Sequence, residues 1–180
     1  MQTLKVTAGK KKAIIAGLAV IALLIGLFGA VGATAYTPPD VTADKVWGQG
    51  GVFNTNNAPT PPSATSLNGS YGVAVAADGG IYIADNANNR VLYYPATNGI
   101  PDFTATRVYG QGGDFTTGTN NKGTRTAISL YGPRGIALAS DGGLYVADRD
   151  NNRVLYYSAG STTATRVYGQ GGDFTTGTNN

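Results

Sequence analysis

The sequence predicts an all-β chain: a partial, incomplete β-propeller of two four-stranded antiparallel blades plus an orphan N-terminal outer strand, preceded by a hydrophobic signal or anchor helix. Three observations predict it. The ten residues Asp85 to Tyr94 return as Asp148 to Tyr157, each time after a Gly-Gly-aliphatic-Tyr-aliphatic-Ala run. Ser66 to Tyr94 aligns with Ser129 to Tyr157 at a constant offset of 63, and Thr104 to Asn121 is identical to Thr163 to Asn180 over 18 residues at an offset of 59. After the apolar N-terminus the chain shows alternation, short apolar runs and turn residues, with no helical period.

The first 35 residues read as an export segment. Lys10, Lys11 and Lys12 precede the apolar stretch Ala13 to Val31, and Ala33-Thr-Ala35 offers a cleavage site before Tyr36. The stretch is long enough to span a bilayer uncleaved, so residues 13–35 are either a signal peptide or a membrane anchor. In both cases the lysines stay inside and the rest of the chain is expected outside, secreted or on the extracellular side of the membrane. The formal charge of +3 belongs to this segment: from Tyr36 onward nine basic residues face ten acids, a net of −1. Residues 36–44, with Thr37-Pro-Pro-Asp40, form an extended spacer.

Residues 45–180 hold the repeats, with blade 1 at about 72–110, blade 2 at about 135–169 and a truncated third unit at 170–180. Val73 to Ala76 and Ile136 to Ala139 are wholly apolar, as expected of an innermost strand covered on both faces. Asp78-Gly-Gly80 and Asp141-Gly-Gly143 supply hairpin turns, because aspartate and glycine tolerate positive φ. Second strands follow at Ile81 to Ala84 and Leu144 to Ala147, third strands at Arg90 to Tyr94 and Arg153 to Tyr157, and fourth strands at Arg107 to Tyr109 and Arg166 to Tyr168. Gly110-Gln-Gly-Gly113 and its copy end the fourth strands. A degenerate copy, Val46-Trp-Gly-Gln-Gly-Gly51, matches a fourth strand with no first three before it. Val46 and Trp47 are therefore expected to be the strand that closes a ring. A repeated four-stranded meander with an apolar inner strand is the sequence form of a propeller blade.

Gly135-Ile-Ala, Asp141-Gly-Gly-Leu-Tyr-Val-Ala-Asp148 and Asn151-Asn-Arg-Val154 resemble the NHL repeat, of the kind found in exported bacterial proteins. The resemblance spans about Val46 to Asn180 and covers two full repeats. It implies blades of a propeller that is usually six-bladed and whose surfaces bind and scaffold. The units here are longer than the usual NHL spacing through Asp114 to Thr126, and Ser70 stands where the second copy has Pro133. Two blades cannot close a ring, so the open flanks are expected to be covered by further propeller blades or by self-association.

Composition narrows the chemistry. Cysteine, histidine and glutamate are absent, which removes thiolate nucleophiles, imidazole bases and the usual zinc sites. Asp85 with Arg90, and Asp148 with Arg153, are expected to tie the loop between strands two and three; recurrence in each blade favours a structural role over catalysis, and no catalytic residue or metal ligand is assigned. Asp148, Asp150 and Asn152 have the oxygen-rich spacing of a calcium loop, yet the first copy carries Ala87 in place of the second carboxylate, and Ala159 stands at the twelfth loop position. A solvated turn and no cofactor are expected. Gly48-Gln-Gly-Gly51 precedes neither a helix nor a Lys-Ser/Thr pair, so it does not read as a phosphate cradle. Tyrosines near Arg107, Arg134, Arg149 and Arg166 suit blade packing better than nucleic acid, given the charge and the export signal. Asn68-Gly-Ser70 is the sole N-glycosylation sequon.

The functional expectation is a non-catalytic scaffold at the cell surface that binds a protein or a glycan. One alternative is part of a propeller enzyme, lyase- or lactonase-like, whose metal site lies in blades outside this chain. The other is a membrane-anchored sensor ectodomain.

Overall fold

The structure, a computed structural model, describes residues 42–178; the signal or anchor segment and the spacer up to Val41 lie outside the described residues. Ten strands follow in chain order: β1 Ser70–Val75, β2 Ile81–Asp85, β3 Arg90–Tyr94, β4 Ala96–Thr97, β5 Ile100–Pro101, β6 Arg107–Tyr109, β7 Pro133–Leu138, β8 Leu144–Asp148, β9 Arg153–Tyr157 and β10 Arg166–Tyr168. They form two four-stranded antiparallel sheets, ordered β1-β2-β3-β6 and β7-β8-β9-β10, with β4 and β5 as a small separate hairpin. Each large sheet is a propeller-like blade built in the order of the chain.

Local chemistry places each turn. Gly79 and Gly142 take φ of +84° and +80° in the first hairpin of each blade. Between the second and third strands the chain makes one 3₁₀ turn, Asn86–Asn88 or Arg149–Asn151, and leaves it through Asn89 or Asn152 in the left-handed region. Asparagine is the non-glycine residue that visits this region most readily. The inner strands begin at Ser70 and Pro133, three residues ahead of the apolar runs, because a register shift between Ser70 and Val73, and between Pro133 and Ile136, lets the strand resume beyond an irregularity.

Every blade has two faces, and the period of two assigns residues to them. On the trailing face of blade 1, Ala74, Tyr82, Ala84, Val91, Tyr93 and Tyr109 join the leading face of blade 2, formed by Ile136, Leu138, Leu144, Val146, Leu155 and Tyr157, in one apolar core. The opposite, leading face of blade 1 forms a second cluster of Leu67, Ile81, Ile83, Leu92, Tyr94, Ala105 and Val108, with Trp47 and Phe115 against it.

One expectation is corrected, and Val46 and Trp47, whose ladder partner is expected from a blade beyond the two described, lie in no strand. A strand needs a ladder partner, and among the described residues this segment has none; Trp47 instead donates its indole N–H to the Asp102 carbonyl at 2.8 Å and packs on the leading face of blade 1. Nor are the inner strands covered on both faces. Val73 and Val75 are 61% and 68% exposed, whereas Ile136 and Leu138, which occupy the same positions in blade 2, pack against blade 1. An inner strand needs a blade on each side to be covered twice, and each of these has one.

Candidate binding surface

The repeated acid-arginine pair lies inside each blade. Arg90 Nε donates to Asp85 Oδ2 at 2.7 Å, and both side chains are fully buried. The other guanidinium nitrogens donate to the carbonyls of Phe115 at 2.6 Å and of Ser63 and Ser66 at 2.9 Å. Asp85 also accepts from the Asn68 amide at 2.6 Å and from Asn88 Nδ2 at 2.9 Å. In blade 2, Arg153 Nε donates to Asp148 Oδ2 at 2.7 Å, Nη1 to the Phe174 carbonyl and Nη2 to the carbonyls of Thr126 and Ser129, while Asp148 accepts from the Tyr131 amide and Asn151 Nδ2. Each pair therefore fastens four pieces of chain: the second and third strands, the segment before the first strand and the long return connection. Burial raises the Asp85 carboxyl above its usual range, against the pull of Arg90 and its hydrogen bonds; burial does the same to Asp148. Every nitrogen of the two guanidinium groups donates at least once within its own blade, and both pairs are buried.

Asp148, Asp150 and Asn152 do not converge as calcium ligands. The Asp148 oxygens are taken as described, Asp150 pairs with Arg149 at 2.7 Å near the surface, and the Asn152 amide donates to the Gly177 carbonyl at 3.2 Å. Among the described residues no cluster of three or more acidic, histidine or cysteine side chains is placed to hold a metal.

A second repeated tie was not anticipated in the sequence. Tyr93 donates its hydroxyl to Asp78 Oδ2 at 2.5 Å, and Tyr156 to Asp141 Oδ2 at 2.6 Å, anchoring each Asp-Gly-Gly hairpin to the third strand. The signal was present as an aspartate and a tyrosine 15 residues apart in both copies. Burial and the bond to Asp78 push the Tyr93 hydroxyl up to about 12. The same bond, with the Gly80 amide, lowers Asp78; Tyr156 and the Gly143 amide lower Asp141.

These hairpins border the candidate surface. A cleft of about 640 Å³ runs between the blades, walled by Asp78, Tyr82 and Arg107 on one side and Leu138, Ser140 and Ala159 on the other. The Arg107 guanidinium lies 4.0 Å over the Tyr93 ring. The Asp78 carboxylate and the Arg107 guanidinium, beside the buried Tyr82 ring, can hold hydroxyl-bearing or peptide groups by hydrogen bonds.

Two four-stranded meanders stacked face to face, each closed by the same buried Asp-Arg tie, define a propeller-type repeat protein. The NHL repeat family model matches residues 72–94 and 130–157, the first three strands of each blade. No curated protein matches the chain.

Proposed function

We propose that this chain is an exported, NHL-type propeller segment that acts as a non-catalytic binding scaffold for a protein or glycan at the cell surface. The observation that carries the reading is that the repeated acid-arginine pairs are consumed by the framework: Asp85, Arg90, Asp148 and Arg153 are buried and hydrogen-bonded within their own blade. What remains for a ligand is the inter-blade cleft with Asp78, Tyr82 and Arg107. Binding surfaces of repeat proteins are commonly built this way, with exposed polar positions on a regular frame. The charge distribution supports export, since the basic residues cluster before the apolar segment and leave the repeats near neutrality.

The test has two parts. Fractionation of cells expressing the full sequence, with intact mass measurement, should place the chain outside, starting at Tyr36 or still carrying its apolar segment. The purified protein should then bind immobilised envelope polysaccharides or surface proteins, and Arg107→Ala should weaken the binding while leaving the thermal unfolding midpoint nearly unchanged. Retention in the cytoplasm would defeat the cell-surface reading. Turnover of lactone or uronate substrates with added divalent metal would defeat the non-catalytic one.

A further inference from the structure

The blade 1 to blade 2 seam shows what each face of a blade takes; Tyr168 on the trailing face of blade 2 is exposed, and on the leading face of blade 1 the rim formed by Val73 and Val75 is open while residues 46–51 sit over the rest. We infer that the trailing face of blade 2 docks the leading face of blade 1 of a second copy of this chain, head to tail, and that the residues preceding blade 1 move aside to admit it.

The trailing faces are built alike. In blade 1, Tyr82 lies 4.7 Å from Tyr93 and 6.0 Å from Tyr109; in blade 2, Tyr145 lies 4.9 Å from Tyr156 and 6.1 Å from Tyr168. Arg107 stacks on Tyr93, and Arg166 on Tyr156. Their surroundings differ. Tyr109 is 1% exposed because blade 2 covers it, and its ring meets Tyr157 edge-on at 5.1 Å, whereas Tyr168 is 44% exposed. At the other end Val73 and Val75 are open, where Ile136 and Leu138 are covered in blade 2. An aromatic face and an aliphatic rim thus stand uncovered, and the interior of the molecule shows these two fitting each other.

The polar groups of the seam repeat the pattern. Between the blades, the Gly132 amide donates to Asn89 Oδ1 at 2.9 Å, while Asn89 Nδ2 holds the Gly118 carbonyl. Asn152 Nδ2 holds the matching Gly177 carbonyl, but among the described residues its Oδ1 accepts no bond, and the amide of Gly69, the counterpart of Gly132, donates none. One free acceptor and one free donor stand at the positions that the seam would join.

One obstacle is visible, and its remedy with it. Gly110 sits so close to Leu130 that a Cβ there would lie 2.8 Å from the leucine Cβ; Gly48 sits on Leu67 with the same 2.8 Å. The Gly112 amide reaches the Ile128 carbonyl at 3.3 Å, and the Gly50 amide the Thr65 carbonyl at 3.4 Å. Residues 46–51 thus occupy on blade 1 the seat that residues 108–113, the end of a preceding blade, occupy on blade 2. In a docked pair Val167 to Gly172 of the first copy and residues 46–51 of the second compete for that seat. β10 is held by a three-residue ladder to β9, and residues 46–51 by no ladder at all, so the latter yield. A face-to-back contact of this kind is heterologous and closes only as a ring.

The experiment places a photo-crosslinking phenylalanine derivative at Tyr168 in the full-length chain, co-expressed with a tagged wild-type copy. The expected product joins position 168 of one copy to the β3 segment containing Tyr94 of the other, as Tyr109 meets Tyr157. A crosslink from 168 to the Tyr145 or Tyr168 region of the other copy would mean a two-fold, face-to-face contact and would overturn the inference. Absence of any inter-copy product would overturn it too. Sedimentation velocity gives an independent check: Tyr168→Asp should lower the assembled mass relative to the wild type. Equal masses for the two proteins would count against the proposal.

Discussion

At the scale of the residue, the buried Asp-Arg pairs are the costliest polar features of the chain. Deleting one partner strands the other charge and, for the arginine, three backbone carbonyls besides. Arg153→Met should therefore destabilise by roughly 3–5 kcal/mol in urea unfolding, and Arg90→Met by a similar amount, since its bonds are the same in kind. The hydroxyl of Tyr157 presents the opposite case. It is buried without a hydrogen-bond partner, as is that of Tyr94, so the group contributes desolvation cost and no bond. Tyr157→Phe should leave the unfolding midpoint unchanged or raise it slightly, and a clear loss of stability would show that the hydroxyl has a partner in solution. The Asp-Arg spacing was legible in the sequence because both members recur five residues apart. That the arginine also binds carbonyls 21 to 27 residues away was not, because backbone acceptors leave no mark on residue type.

At the scale of the element, turns and hairpins decide what the repeat tolerates. Asn89 and Asn152 both hold φ near +50°, and each holds a glycine carbonyl in the following connection, but only Asn89 also accepts across the seam from Gly132. Replacing either by alanine costs about 1–2 kcal/mol for the left-handed backbone, and Asn89→Ala should cost a further 1–3 kcal/mol or so for the stranded Gly132 amide. Comparing the two midpoints isolates that difference, and equal values would deny the amide its role. The Tyr-Asp hairpin ties set a pH window. Tyr93 keeps its proton up to about 12 when folded, above its ordinary 10.0, so its contribution is complete below 10 and is lost as pH rises through 12. Asp78 is lowered, so its contribution is present above the ordinary carboxylate value of 3.8 and is lost as pH falls through the lower folded one. Asp85 and Asp148, raised by burial, act in the reverse sense: the folded chain takes up their protons first, so their ionisation opposes folding as pH rises. Stability should therefore fall above about pH 10, and Tyr93→Phe with Tyr156→Phe should remove part of that fall while weakening both hairpins at neutral pH. A parental pH profile in the double variant would refute the assignment. Second, third and fourth strands could be read within a residue, because Gly-Gly, Asn-Asn-Arg and Gly-Gln-Gly mark their ends. The start of the first strand could not, since a bulge is a property of two strands and the apolar run names only one.

At the scale of the whole molecule, two blades behave as one body only as far as their seam allows. Repeat architectures gain much of their stability from contacts between neighbours, so weakening one seam lowers cooperativity as well as stability. The sequence could show that the blades were alike, but it could not show which faces were covered, because Val73 and Ile136, or Tyr109 and Tyr168, are near-identical residues in different surroundings. Location alone separates them. The same reasoning explains Val46 and Trp47: their residues match a fourth strand, while strand status depends on a neighbour. Tyr109 is the side chain on which the seam turns, packed between Tyr82 of its own blade and Tyr157 of the next. Tyr109→Ala should cost roughly 3–5 kcal/mol through the cavity it leaves. It should also separate two transitions that coincide in the parent protein. Trp47, the single tryptophan, rests on blade 1 and reports that blade by fluorescence, whereas far-ultraviolet dichroism reports the strands of both. Coincident curves in the parent and divergent ones in Tyr109→Ala would mean that the seam makes the two blades unfold together. Curves that remain coincident after the substitution would mean that the cooperative link runs through the polar bridge from Asn89 to Gly132 and the Gln111 amide, which is buried and donates to the Asn89 and Thr119 carbonyls at 2.9 Å.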